Sequence, residues 1–159
     1  MIKKSLILFV LVSFPLLSQS VDSYLSSLKS GSDSEKEQAC TYLGEKGSNM
    51  AKTVVSEVII ALKTTTNSDV ALACANALGY FKLNGPSTEA LKERITTDKN
   101  TDVVYASLLA LLNITVNNKQ YEPAAKEAME FADKNHRDDE FVADLLDKIK
   151  AQLQQLGIK

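Results

Sequence analysis

The chain has 159 residues, 45% hydrophobic and 24% charged, with six glycines and three prolines. That composition excludes collagen-like and low-complexity chains, and the length suits one modest domain or a short repeat array. A formal net charge of −2 opposes a dedicated nucleic-acid binder, and one histidine with two cysteines leaves few parts for metal or acid–base chemistry.

The first segment reads Met1-Ile2-Lys3-Lys4, then an uncharged run from Ser5 to Leu17, then Ser18-Gln19-Ser20. A basic start, a short apolar stretch and small residues at the end are the three parts of a secretory leader. The run of about 13 residues is shorter than the roughly 20 that a spanning helix needs. Residues 1–20 are therefore expected to be a cleaved leader, and 21–159 a domain that works in the periplasm or outside the cell. No cysteine stands near the cleavage position, so a lipid anchor is not expected. The apolar stretch from Val103 to Ile114 is also too short to cross a bilayer, so no membrane span is expected after cleavage.

From position 21 the pattern is helical throughout. Hydrophobic spacing and polar breaks place helices near 21–29, 33–46, 49–63, 68–82, 87–96, 101–115, 121–133 and 138–156. Gly31-Ser32-Asp33, Lys46-Gly47-Ser48, Asn67-Ser68-Asp69 and Asn84-Gly85-Pro86-Ser87 combine stop signals with capping side chains for the next helix. Pro123 suits a first helical turn, where its missing N–H costs nothing. The Val- and Ile-rich stretch from Thr53 to Leu62 keeps helical rather than alternating spacing.

The segments repeat. Ser34 to Gly44 aligns with Asp69 to Gly79 at an offset of 35, matching a small residue, a leucine and a glycine. Asp102-Val103-Val104-Tyr105-Ala106 follows at 33, and Asp139-Glu140-Phe141-Val142-Ala143 at 37. Four units of helix pairs follow. One pair cannot bury its own apolar stripe, so neighbours must stack to create the core.

Asp69-Val70 leading into Ala73-Cys74-Ala75-Asn76-Ala77-Leu78-Gly79 resembles the second-helix signature of HEAT-like repeats, an armadillo-type α-solenoid family. The resemblance runs over nearly all of 21–159 and is strongest in the second unit. It implies an all-α fold, a right-handed α–α superhelix of about four helical hairpins, and a role in binding other proteins. Where that family often carries arginine two residues after the aspartate, this chain has Ala71, Val104 and Phe141.

The alignment sets Leu72 beside Tyr105, Asn76 beside Leu109, and Tyr80 beside Asn113. Leu72, Asn76, Tyr80, Tyr105 and Leu109 are therefore expected to form a ridge of anchors for a protein partner. Cys40 and Cys74 fall on equivalent helices, one aligned position out of step. Export permits a bridge, but this offset predicts two small buried side chains instead. Asp98, Asn100 and Asp102 have the spacing that opens a calcium loop. Val103 replaces the required glycine and Leu109 the closing glutamate, so a capped helix start fits better. His136 stands in a charged turn without ligand partners. No catalytic, metal or cofactor site is expected, and no nucleic acid. The expected role is a non-enzymatic interaction scaffold or adaptor. The alternative is a structural or accessory subunit of an extracytoplasmic assembly, such as an appendage or flagellar sheath.

Overall fold

The computed structural model describes residues 20–46 and 49–158. The expected leader lies outside the described residues except for Ser20. That residue caps the first helix, its Oγ accepting from the Ser23 N–H at 3.4 Å.

The described residues are all-α, with no strand. Eight helices run as α1 (Val21–Ser30), α2 (Asp33–Lys46), α3 (Ala51–Thr64), α4 (Ser68–Phe81), α5 (Pro86–Thr97), α6 (Thr101–Asn118), α7 (Pro123–Asn135) and α8 (Glu140–Gln155). Pro86 and Pro123 occupy first turns, as their lack of an N–H favours.

The helices form two layers. The odd helices touch one another in order, the even helices do the same, and each odd helix packs on the even helix after it. One continuous core runs between them, from Leu28 through Leu62, Leu78 and Leu111 to Leu153. Each fully buried leucine contributes roughly 1.5–3 kcal/mol of burial free energy before entropy is counted. α4 and α6 are enclosed on most sides: Val70, Cys74 and Leu78 are fully buried, as are Val103, Ser107 and Leu111.

The even helices start alike. Asn67 Oδ1 accepts from the Asp69 and Val70 N–H groups at 2.9 and 3.1 Å. Asn100 does the same for Asp102 and Val103, and Asp139 for Phe141 and Val142. Ser32 and Glu35 form a reciprocal capping box at α2. These caps correct the sequence alignment of the last unit. Asp139 is the counterpart of Asn100, not of Asp102, so Val142 takes the buried place of Val103 and Phe141 the exposed place of Asp102.

Small residues set the spacing of the even layer. A Cβ on Gly44 would meet Ala77 Cα at 3.0 Å, and one on Gly79 would meet Ala110 Cα at 2.9 Å. A glycine inside a helix costs roughly 0.5–1 kcal/mol relative to alanine, and here the close approach of neighbouring backbones offsets it.

That approach overturns the expectation of two unbridged cysteines. Cys40 and Cys74 form a disulfide, with their Cα atoms 4.9 Å apart. The one-position offset did not prevent it, because α2 and α4 come together through Gly44 and Ala77 more tightly than ordinary helix neighbours do.

Candidate functional site

The outward stripe of the even layer carries every residue expected on the ridge. α4 presents Asp69, Leu72, Asn76 and Tyr80, and α6 presents Asp102, Tyr105, Leu109 and Asn113, while the residues between them are buried. Leu72, Asn76 and Leu109 are half-buried, whereas Tyr80 is 58% exposed and Tyr105 36%. Their spacing follows from packing: once Val70, Ala73, Cys74 and Ala77 face the core, positions 72, 76 and 80 must face out.

Two recesses open on this stripe. Between α2 and α4 a groove of about 240 Å³ is lined by Glu37, Thr41, Glu45, Asp69, Leu72, Asn76 and Tyr80, over a floor of Cys40, Gly44, Ala73 and Ala77. The Tyr80 ring leans across α2, its Cδ2 lying 3.2 Å from the place of a Cβ on Gly44. Between α6 and α8 a second cleft, about 300 Å³, is lined by Thr101, Asp102, Tyr105, Asp139 and Phe141. Tyr105 thus shares this cleft with Phe141, which is 69% exposed and was not expected on the surface. The displaced alignment of the last unit concealed Phe141. Of the five ridge residues, Leu72, Asn76 and Tyr80 line the first recess, Tyr105 lines the second, and Leu109 lies on α6 outside both.

The electrostatics of this face are acidic. Glu37, Glu45, Asp69, Asp102 and Glu140 make no ion pair among the described residues. The cation on the stripe, Lys148, is held by Asp144 at 2.5 Å, which raises its pKa. The Asp139 carboxyl is held below its usual range, first by the Val142 N–H and then by the Thr101 side chain. The cap explanation for Asp98, Asn100 and Asp102 is met: Asn100 serves as cap, and Asp98 pairs with Arg94. No cluster able to hold a metal occurs among the described residues.

The odd layer differs. Lys29 pairs with Glu57, Lys63 with Glu93, and Lys92 with Glu127, each bond joining one odd helix to the next. Its helix ends are also tied by side chains that the sequence did not reveal. Arg94 donates through Nε to the Leu62 carbonyl at 2.9 Å and through Nη2 to Thr65 at 2.6 Å, closing the end of α3. Glu122 accepts from the Gly85 N–H and, at 2.5 Å, from Thr88 Oγ1, closing the start of α5. His136 is half-buried rather than free in a turn, with Nε2 3.0 Å from the Ile95 carbonyl. The two arginines and the histidine therefore serve packing: Arg137 bridges Asp133 and Asp147.

No helix among the described residues is long and apolar enough to cross a membrane. Compared with known proteins, the chain matches no family model, no curated protein and no solved structure.

Proposed function

We propose that the chain is an exported, non-enzymatic scaffold that binds another protein across the outward face of its even helices, and that it belongs with the HEAT-like α-solenoids. The observation that carries this reading is the contrast between faces: exposed Tyr80, Tyr105 and Phe141 gather over two recesses on the even layer, among carboxylates without ion pairs. Aromatic anchors at the mouth of shallow apolar recesses are what protein interfaces concentrate.

Three further features support it. The alternation of layers and the close stacking of equivalent helices suit a right-handed superhelix, in which one layer faces a partner. The Cys40–Cys74 disulfide suits an oxidising compartment, periplasmic or extracellular, and so agrees with a secretory leader. The side chains of His136, Arg94 and Arg137 are engaged in contacts between helices.

The test is recovery of partners from the native envelope with the mature chain, set against Tyr105→Ala and Leu109→Asp variants whose helicity is checked by circular dichroism. The reading predicts one or a few defined partners, lost with the variants. Equal recovery by the wild type and both variants would refute it. A repetitive pattern of self cross-links in intact cells would favour the structural-subunit alternative.

A further inference from the structure

The groove between α2 and α4 has the chemistry to select its occupant. Its floor is apolar and narrow, made by Gly44, Ala73 and Ala77, with Leu72 beside it. Its rim carries three carboxylates, Glu37, Glu45 and Asp69, none of which has an ion-pair partner among the described residues. The Tyr80 ring and the Asn76 amide complete the lining. A long side chain with an aliphatic stem and a cationic head matches this combination: the stem lies on the floor, and the head meets the rim carboxylates and the tyrosine face.

Charge placement makes the match specific to this face. Along α2, α4 and α6 the outward positions of the stripe hold no lysine or arginine. Of the two lysines in α2, Lys46 holds its Nζ over the Tyr42 ring at 5.6 Å from the centroid, and Lys36 lines a separate recess with Leu28, Asp33 and Ala61. Glu45 stands in the last turn of α2, where the helix dipole repels a negative charge. On the odd layer, by contrast, the paired carboxylates Glu57, Glu93 and Glu127 each face a lysine of a neighbouring helix. No lysine among the described residues makes an ion pair with Glu37, Glu45 or Asp69.

We infer that this groove docks a basic segment of a partner protein, one that presents lysine or arginine beside an apolar residue. The inference rests on the scaffold reading and narrows it to a partner class. The apolar residue continues onto the ridge towards Tyr105 and Leu109, where the surface turns aromatic and aliphatic.

A fluorescent peptide of alternating Lys, Arg and Leu is the probe, with a matching peptide in which Glu replaces every Lys and Arg. Fluorescence anisotropy with the full mature chain should show binding of the basic peptide that weakens with rising salt, and none of the acidic one. Glu37→Gln/Glu45→Gln/Asp69→Asn should weaken binding by about tenfold, as should Tyr80→Ala. Asp22→Asn/Glu130→Gln/Asp138→Asn removes the same charge elsewhere and should leave binding nearly unchanged. Failure of the basic peptide to bind the wild type, equal binding of the acidic peptide, or equal loss in the two triple variants would each overturn the proposal. Should Tyr80→Ala loosen the fold, the triple variants still decide, because their substituted side chains are all exposed. If the envelope partners are lost in Tyr105→Ala while the peptide never binds, the scaffold reading stands and only the basic partner class fails.

Discussion

The odd and even layers come from the same four helix pairs, yet their outer faces are built on different rules. Between odd helices the outer contacts are long charged side chains, Lys29 to Glu57, Lys63 to Glu93 and Lys92 to Glu127. Between even helices the contacts are backbone-close, Gly44 on Ala77 and Gly79 on Ala110, with a disulfide beside the first. Where neighbours touch through small residues, no charged side chain is needed to span the gap, and the outward positions are left free. Glu57, Glu93 and Glu127 of the odd layer are paired across its own helices, while Glu37, Glu45, Asp69 and Asp102 of the even layer make no ion pair among the described residues.

The sharpest way to break this contrast is to remove the staple. Cys40→Ala/Cys74→Ala should cost about 2–4 kcal/mol, because the bridge closes a loop through α2 to α4. Denaturant unfolding measures the loss, and hydrogen exchange should place the faster opening in α1 and α2. Next in size is Gly79→Val. The added side chain meets the Ala110 backbone, so about 1–3 kcal/mol of overpacking is expected by thermal unfolding. Lys29→Met on the odd layer should cost only about 0.2–1 kcal/mol, and added salt should shrink even that. A ladder substitution as costly as Gly79→Val would show that the layers are not held in different ways.

Acid provides the finest probe. The carboxyls of Glu35, Asp133, Asp139 and Asp147 are all held below their usual range: Glu35 by the Ser32 N–H, Asp133 by Lys150, Asp139 by the Val142 N–H, and Asp147 by Arg137. A carboxyl whose folded pKa is lowered contributes stability that is fully present above its unfolded value of about 4, and that is lost as pH falls through the folded value. Thermal melts should therefore decline in acid. Asp139→Asn keeps an acceptor at the cap, as Asn67 and Asn100 already do, so stability near neutrality should hold while the acid decline becomes shallower. An unchanged acid profile would mean that the Asp139 cap does not contribute to it.

The sequence made most of the helices readable because periodic apolar spacing and Asx caps are local signals. Asn67, Asn100 and Pro86 mark helix starts from their immediate neighbours alone. α6 runs on to Asn118 rather than ending near 115, because Ile114 and Thr115 are buried and Lys119 closes the helix in a left-handed turn with φ 51°. The outward placement of Leu72, Asn76 and Tyr80 was legible for the same reason, since burying one side of α4 fixes the other. Contacts between units were not legible. Arg94 on Leu62, Glu122 on Gly85 and His136 on Ile95 join positions whose proximity depends on how the pairs stack. The disulfide was not legible on that account, and Phe141 was not because Asp139 aligns in sequence with Asp102 while in the fold it matches the cap Asn100.

The proposed working surface is the outward face of the even layer. Amide chemical-shift mapping of the isotope-labelled chain from residue 21 onward, titrated with the alternating Lys, Arg and Leu peptide, tests this directly. Perturbations confined to Glu37, Glu45, Leu72, Asn76, Tyr80 and their neighbours on α6 are the predicted result. Perturbations centred on the outer faces of α3, α5 and α7, with the even stripe silent, would contradict it.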